Sequence, residues 1–308
     1  MSNRSLACRA GPAGLESHPE FHSRPSSAMA HPDRFLLAGV MGWPVMHSRS
    51  PKLHTYWMEK HGLAGTYVPL AIRPEGIEAA LRALPALGFA GCNLTIPHKE
   101  TALRVVDHAD EKARRIGAIS CVTVRSDGSL AGTNNDVFGF IENHREAFPD
   151  WRADQGPVTV IGAGGAARAV VYALAEMGVR EIRLSNRTGD RAERLAAELG
   201  VDCTIVDWAD RHRALEGVNL LVNATSQGMV GNPPLDLNLE RLPRKACVSD
   251  IVYIPGETPL LAAARARGNS TVNGLGMLLH QGRPAWRDWF GIEVQVTREL
   301  RSLIEATI

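Results

Sequence analysis

The sequence predicts an α/β protein built mostly from parallel strands and divided into two domains. Strand-like apolar runs alternate with helical stretches along most of the chain, which is typical of a parallel sheet covered by helices. One β-branched run passes through a cluster of glycines directly into a helical stretch. The length of 308 residues, 44% of them hydrophobic, is enough for two hydrophobic cores.

The first series of elements begins at Phe35. In chain order its strands are FLLAGVMG, TYVPLAI, GCNLTI and AISCVTV, and its helices are PKLHTYWMEKHG, EGIEAALRALPALG and one or two within HKETALRVVDHADEKARRIG. In the first helix the apolar residues Leu53, Trp57 and Met58 recur at about one-turn spacing, and Gly62 predicts its end.

The second series begins at Val158. VTVIGAGGAARAVVYALAEMG is a strand and a helix joined by glycines, and EIRLSNRT and GDRAERLAAELG are the next strand and helix. LLVNATSQGM and ACVSDIVYIP are further strands with polar loops at their ends. The last segment, Met277 to Ile308, reads as two helices, each with an apolar stripe.

Composition excludes several classes of function. Lysine and arginine number 34 against 33 acidic residues, so the net charge of +1 gives no general attraction to nucleic acid or to acidic membranes. The apolar runs are only a few residues long, far short of the ~20 that span a bilayer. The five cysteines are scattered without metal-ligand spacing. We therefore expect no metal site, reduced thiols and a cytoplasmic protein.

Residues 1–33 stand apart from this pattern. They are rich in Ser, Pro, His and Arg and show neither a helical nor a strand period. We expect a disordered leader, or translation that begins at Met29. An organellar targeting role is the weaker alternative, because Glu16 and Glu20 interrupt the segment.

The stretch GAGGAA, residues 162–167, fits the dinucleotide-binding pattern G-x-G-x-x-G/A. Gly162 permits the tight turn, Gly164 lets the backbone approach a pyrophosphate, and the small Ala167 allows close helix–strand packing. The alternative is an ordinary tight turn. Because the stretch follows a strand and opens a helix, we predict a Rossmann-type cofactor domain. The predicted contacts of its loop are Gly162, Ala163, Gly164, Gly165 and Ala166.

The residues that would contact the adenosine ribose lie about 20 positions farther on. There the chain reads SNRTGDR, with Asn186, Arg187, Thr188 and Arg191. NAD-binding proteins usually carry Asp or Glu at this place, whereas guanidinium groups suit a 2′-phosphate. The alternative is that both arginines are solvated residues at a helix start. We predict NADP as the cofactor.

Three polar clusters lie beside strand ends in the first half. GWPVMHSRSPKLH holds Ser48 and Ser50, NLTIPHK holds Thr95 and Lys99, and GTNNDVFG holds Asp136. Each cluster alone also fits capping and turn chemistry.

Together these clusters resemble the shikimate dehydrogenase family over nearly the whole chain after residue 33. The motifs GxPxxHSxSPxxH, NxTxPxK and GxNxD are met at residues 42–54, 93–99 and 132–136. NRT, NATSxGM, DxVYxPxxTPLL and GxxMLxxQ are met at residues 186–188, 223–229, 250–261 and 274–281. So many motifs in one order are not expected by chance.

The resemblance implies a reversible NADP-dependent oxidation of shikimate to 3-dehydroshikimate, in the biosynthesis of chorismate and aromatic amino acids. Lys99 and Asp136 match the catalytic pair of the family. A lysine beside a carboxylate can accept the hydroxyl proton if its pKa is brought towards neutrality, and its cation can stabilise the developing alkoxide. The sequence leaves open which group of the pair holds the moving proton. The implied substrate contacts are Ser48, Ser50, Thr95, Tyr253 and Gln281, and Thr225 and Gly274 are added to the cofactor contacts.

One short stretch departs from the family. GAISCV has Ser120 and Cys121 where the family usually has Asn and Thr, and Asn135 replaces a usual Thr. We expect Ser120 to face the substrate and to alter affinity or specificity, since a bond to a ring hydroxyl would be lost or passed to water at ~0–2 kcal/mol. We expect Cys121 to be a small buried residue. The alternative is neutral packing drift.

The expected domains are residues 34–135 with 276–308, which bind substrate, and residues 136–275, which bind NADP, with the site in the cleft between them. Because Asp136 falls at the crossover, we expect domain closure to help assemble the catalytic pair. The rivals are a paralogue acting on quinate, aminoshikimate or another polyol acid, and a cofactor-binding regulator without turnover. The expected partner is a small-molecule substrate, not nucleic acid or membrane. The sequence leaves the oligomeric state open, and a homodimer is one of the alternatives.

Overall fold

The computed structural model describes residues 35–308, which form two six-stranded sheets. The expectations for residues 1–33, and for Met29 as the start, lie outside the described residues. The α/β fold class with mostly parallel strands is confirmed. Over the described part of the chain, no helix is both long enough and apolar enough to cross a membrane.

The first sheet has the strand order β2-β1-β3-β5-β6-β4. Its strands are β1 (Leu36–Gly42), β2 (Gly65–Ala71), β3 (Gly91–Leu94), β4 (His108–Ala109), β5 (Cys121–Val124) and β6 (Leu130–Thr133). β1 pairs in parallel with β2 and β3, whereas β5 runs antiparallel to both β3 and β6. The edge strand β2 contains Pro69, opposite Val40. As a result, the ends of β1, β3 and β6 lie at the same edge as the beginning of β5.

Four helices belong to this part of the chain: α1 (Ser50–Lys60), α2 (Ile77–Ala83), α3 (Lys99–Leu103) and α4 (Glu111–Ile116). The segment that predicted one or two helices contains both α3 and α4, with the short β4 between them. Asp110 caps the N-terminus of α4, because its carboxylate accepts a hydrogen bond from the Ala113 N–H at 2.6 Å. The helix ends at Gly117, which adopts φ +74°, a conformation that glycine reaches without strain.

The second sheet is parallel throughout, in the order β12-β11-β10-β7-β8-β9. Its strands are β7 (Val158–Ile161), β8 (Ile182–Ser185), β9 (Cys203–Val206), β10 (Leu220–Asn223), β11 (Cys247–Asp250) and β12 (Thr271–Val272). Its helices are α6 (Gly165–Glu176), α7 (Gly189–Leu199) and α8 (Pro259–Ala266). Both faces of β7 are buried, as its continuous apolar run requires.

Helices α5 (Asp136–Ala147), α9 (Leu275–Phe290) and α10 (Arg298–Glu305) complete the fold. α5 connects the two sheets and packs closely on α9 because glycines line the contact. A Cβ atom on Gly139 would lie 2.5 Å from the Met277 carbonyl oxygen, and one on Gly276 would lie 1.9 Å from Asn143 Oδ1. α9 also buries Trp286 against Trp57 of α1. The exact division of the chain into two domains stays a prediction.

Candidate active site

A cavity of about 100 Å³ lies at the edge of the first sheet where β1 and β3 end and β5 begins. The antiparallel course of β5 explains why Ser120, which precedes that strand, reaches the same edge as Thr95, which follows β3. The cavity brings together all of the predicted substrate contacts. These are Ser48, Ser50, Thr95, Ser120, Tyr253 and Gln281, and Lys99 lines the cavity with them.

Lys99 and Asp136 form a buried ion pair beside this cavity. Lys99 Nζ lies 2.5 Å from Asp136 Oδ2, and the two side chains are 15% and 1% exposed. Each residue is the first of its helix, α3 and α5. Within residues 35–308 the second carboxylate oxygen, Oδ1, has no hydrogen-bond partner. The two side chains are therefore in contact in this structure, and a contribution of domain closure to assembling the pair stays a prediction.

The turn before Asp136 is fixed by two side chains, one directly after β6 and one directly before β5. Asn134 donates from Nδ2 to the Ala118 carbonyl at 2.9 Å and accepts from the Asp136 N–H at 3.1 Å. Ser120 Oγ accepts from the Asn135 N–H at 2.9 Å. Ser120 thus borders the cavity and also holds the chain that leads into the Lys99–Asp136 pair. The sequence predicted the first of these positions but not the second.

Cys121 lies next to Ser120 but is fully buried. Burial raises the pKa of its thiol well above the ordinary value, so the thiolate form is disfavoured. This agrees with the expectation of a small buried residue.

Three polar cavity residues were missed as site residues by the sequence reasoning: His47, His54 and Asn93. Asn93 Oδ1 accepts a hydrogen bond from the Tyr67 hydroxyl at 2.8 Å, and its Nδ2 donates to the Ser120 carbonyl at 3.3 Å. The signal was present, because Asn93 is two residues before Thr95 and alternate residues of a strand face the same side. His54 follows Ser50 by one turn of α1.

The glycine-rich loop joins β7 to α6 and has the conformation that the cofactor motif predicts. Gly162 adopts φ +114°, and a Cβ atom there would lie 2.9 Å from the Ala224 carbonyl oxygen. A Cβ atom on Gly164 would meet nothing within 4 Å, which leaves room beside the backbone. Gly165 begins α6, and its Cβ position lies 3.8 Å from Lys99 Cβ. The loop, with Ala163 and Ala166, thus fits a pyrophosphate and lies directly opposite Lys99.

The predicted ribose-phosphate contacts follow β8. Arg187, Thr188 and Arg191 are exposed, and Asn186 Nδ2 donates to the Thr188 carbonyl at 2.8 Å, which shapes the turn into α7. Exposed guanidinium groups at the end of the second strand of a Rossmann-type sheet fit a 2′-phosphate.

The two remaining predicted cofactor contacts lie at the ends of other elements. Thr225 follows β10, and its hydroxyl donates to Asn223 Oδ1 at 2.7 Å. Gly274 precedes α9, and a Cβ atom there would lie 1.9 Å from the Ile251 carbonyl oxygen. Gly274 is therefore required by backbone packing, whatever else it contacts.

A parallel nucleotide-binding sheet whose glycine loop faces a buried lysine–carboxylate pair defines a nicotinamide-dependent dehydrogenase. Comparison with known families specifies which one. Residues 40–122 match the family model of the shikimate dehydrogenase substrate-binding domain, and residues 144–231 match that of shikimate/quinate 5-dehydrogenase. The chain belongs to the shikimate dehydrogenase family.

Known proteins similar to the chain include enzymes that are named for different substrates. Shikimate dehydrogenase (NADP(+)) of Paramagnetospirillum magneticum is 57% identical over 268 residues, 87% of this chain and 97% of that protein. Shikimate 5-dehydrogenase of Thermus thermophilus, solved with NADP(H) and shikimate, is 36% identical with a TM-score of 0.77 over 88% of this chain and 98% of that one. Quinate dehydrogenase of Corynebacterium glutamicum, solved with NAD, is 32% identical with a TM-score of 0.82 over 89% and 99%.

Proposed function

We propose that this chain catalyses the reversible NADP-dependent oxidation of shikimate to 3-dehydroshikimate. One observation supports this above the others: the Lys99–Asp136 ion pair borders a cavity rich in hydroxyl and amide groups and faces the glycine-rich loop. The relatives named for NADP and shikimate support the same reaction. The function belongs to the biosynthesis of chorismate and aromatic amino acids.

In this proposal the Lys99–Asp136 pair takes up the proton of the reacting ring hydroxyl, and the Lys99 cation stabilises the developing alkoxide. Asp136 holds Lys99 in place through its Oδ2. The other carboxylate oxygen, Oδ1, has no partner within residues 35–308 and is available to the ring hydroxyls of the substrate. Ser48 and Ser50 bind the substrate carboxylate. Thr95, Ser120, Tyr253 and Gln281 contact the rest of the substrate.

The residues that would hold the cofactor are those of the loop 162–166, Thr225, Gly274 and the turn 186–191. When bound, NADP supplies a nicotinamide that accepts the hydride from the carbinol carbon. The two arginines of the turn would neutralise the 2′-phosphate.

The test is steady-state oxidation of shikimate and of quinate, each with NADP and with NAD. We expect shikimate with NADP to give kcat/KM of about 10⁴ M⁻¹s⁻¹ or better. We expect Lys99→Met to lower kcat by ~10²–10⁴-fold. The matched control is Lys245→Met, which replaces an exposed lysine far along the chain and should leave kcat unchanged.

Each outcome of this assay decides between the rivals. A higher kcat/KM for quinate than for shikimate would identify the protein as a paralogue that acts on quinate. Cofactor binding without turnover of either acid would indicate a regulator and would contradict the proposed function.

Three finer points belong to the same proposal. We place the domain boundaries at 135/136 and 275/276, in keeping with sheets formed by residues 36–133 and 158–272. We propose a cytoplasmic enzyme, supported by the free state of the four cysteines in the described residues. We propose a homodimer, which light scattering after gel filtration tests directly.

A further inference from the structure

His54 is a buried histidine that borders the cavity and has no assigned role in the proposed reaction. Its side chain is 2% exposed, and it lies on α1 one turn after Ser50. The cavity wall includes His54 together with Ser50, Asn93 and Gln281. A polar ring at this depth needs hydrogen-bond partners for both of its nitrogens.

One ring nitrogen has a partner that fixes the position of the proton. Trp286 donates from its indole Nε1–H to His54 Nδ1 at 2.7 Å. An indole N–H can only donate, so Nδ1 must carry the lone pair. A neutral His54 therefore carries its proton on Nε2, and this nitrogen is a donor.

The other ring nitrogen, Nε2, has no acceptor among the described residues. Nε2 points away from Trp286, because the two nitrogens lie on different sides of the imidazole. Since the ring borders the cavity, this unused donor is available to a molecule inside it.

The ring plane is held as well as the proton. His54 stacks on Tyr67 with a centroid distance of 4.0 Å and an interplanar angle of 2°. Tyr67 is itself held by its hydrogen bond to Asn93 Oδ1 at 2.8 Å. Such a donor costs little to orient when a ligand binds.

The imidazole stays neutral because burial penalises its charged form. Burial lowers the pKa of His54 from 6.5 to about 3. His54 is thus a fixed neutral donor throughout the physiological pH range.

The cavity has a particular need for neutral donors. Among the cavity-lining residues in the described part of the chain, Lys99 is the only Lys, Arg, Asp or Glu, and Asp136 already pairs with it. A substrate carboxylate bound at Ser50, away from the reacting hydroxyl, is therefore held by the N–H and O–H groups of serine, tyrosine, amide and histidine side chains.

We propose that His54 is a further substrate-binding residue, whose Nε2–H donates a hydrogen bond to the substrate carboxylate beside Ser50, with its tautomer set by Trp286. This inference rests on the proposed function, since it takes a carboxylate substrate as the occupant of the cavity. It assigns Trp286, on α9, the role of a positioning residue.

The kinetic test replaces His54 by Phe, which keeps a stacking ring without nitrogens. A hydrogen bond to a charged group contributes ~1.5–3 kcal/mol, so His54→Phe should raise KM for shikimate by about 10-fold or more with little change in kcat. With shikimate methyl ester, whose carboxyl group is uncharged, the same substitution should have a several-fold smaller effect. His54→Gln, which restores an N–H donor, should recover part of the loss.

Controls separate binding from structure. His61→Phe changes an exposed histidine at the end of the same helix, whose ring also lies 6.0 Å from Trp286, and should leave KM unchanged. The double variant His54→Phe with Trp286→Phe removes both polar partners, so a folding defect caused by an orphaned indole N–H is relieved. In that variant KM should stay high if His54 binds substrate.

Nitrogen-15 NMR of histidine-labelled protein gives a readout independent of turnover. We expect the protonated nitrogen of His54 to be Nε2, and its N–H signal to shift when shikimate is added. The inference is overturned by protonation at Nδ1, or by equal losses of His54→Phe with shikimate and its ester. If wild type fails to oxidise shikimate at all, the proposed function fails first, and the two failures are thereby distinguished.

Discussion

Ser120 shows how one substitution inside a family motif can change two properties together. Its hydroxyl lies at the cavity and accepts a hydrogen bond from the N–H of Asn135, the residue before Asp136. A serine is short enough to turn back to this N–H. An asparagine at the same place would extend farther into the cavity, where a ring hydroxyl is expected to bind.

We predict that Ser120→Ala lowers kcat for shikimate by about 3–10-fold, because a neutral hydrogen bond of ~0.5–1.5 kcal/mol that fixes the turn before Asp136 is lost. Steady-state kinetics measures this effect. Ser302→Ala, at an exposed serine of α10, is the matched control.

The companion variant Ser120→Asn reports on specificity. We expect it to change the ratio of kcat/KM between shikimate and quinate, since the longer amide reaches the ring. An unchanged ratio would support neutral packing drift at this position. An unchanged kcat in Ser120→Ala would show that the Ser120–Asn135 hydrogen bond does not affect the reaction.

His144 belongs to a different class of buried histidine, because it lies on α5 among Phe148 and Trp151 and away from the candidate site. Its side chain is 2% exposed, and within residues 35–308 neither ring nitrogen has a partner. Burial lowers its pKa from 6.5 to about 4. The folded protein therefore holds this ring neutral at pH values where the unfolded chain would protonate it.

We predict a loss of stability on acidification through this group. Its contribution is complete above pH 6.5 and is lost as pH falls from 6.5 towards about 4, because only the unfolded chain takes up the proton in that range. The free energy of unfolding should fall by up to about 1.4 kcal/mol per pH unit for this one histidine. Urea unfolding at pH 7.5, 6.5 and 5.5 gives the slope.

The variant for this prediction is His144→Phe. It should reduce the slope of unfolding free energy against pH by the share of one proton, while the buried His54 still contributes its own share. His108→Gln, at an exposed histidine, is the control and should leave the slope as it is. An equal slope in wild type and His144→Phe would mean that His144 is not held neutral.

At the scale of elements, the contact between α5 and α9 depends on missing side chains. Gly276 faces Asn143, whose Nδ2 donates to the Asn273 carbonyl at 2.9 Å. A methyl group at Gly276 would displace the Asn143 amide and push the two helices apart. This contact also sets the position of α5, the helix that begins with Asp136.

We predict that Gly276→Ala lowers the free energy of unfolding by ~1–3 kcal/mol, the usual range for overpacking a tight contact. Gly189→Ala is the matched control, because it lies in the first turn of α7 where an added Cβ meets nothing within 4 Å. That control should be neutral or slightly stabilising. Equal changes in the free energy of unfolding for the two substitutions would show that α5 and α9 can move apart at little cost.

The turn after β8 carries the predicted cofactor preference. We predict that Arg187→Ala combined with Arg191→Ala raises KM for NADP by about 10-fold or more and leaves KM for NAD nearly unchanged, because only NADP has the 2′-phosphate. Arg194→Ala, an exposed arginine farther along α7, is the control. A parallel rise of both KM values would assign these arginines a general role.

At the scale of the whole molecule, sequence predicted what local pattern determines. The alternating elements and the glycine-rich loop follow from periodicity and turn chemistry, and they are found where expected. β4 and β12, only two residues each, were not predicted, since their pairing partners and not their own pattern define them. The four-residue strands β6 and β9 were not predicted either.

Contacts between distant parts of the chain were also beyond the sequence. The Trp286–His54 bond joins residues 232 positions apart, and the Ser120–Asn135 bond depends on the reversed direction of β5. The motif resemblance located the cavity residues individually. It did not predict which of them hold one another in place.

The proline in β2 limits how two copies of this protein can associate. An exposed edge strand invites a second strand to continue the sheet, but Pro69 has no N–H to offer there. Side-by-side joining of two first sheets into one continuous twelve-stranded sheet is therefore disfavoured at this edge. A homodimer that used this edge would have to contact it through side chains, and the same proline protects the edge against sheet-extending aggregation.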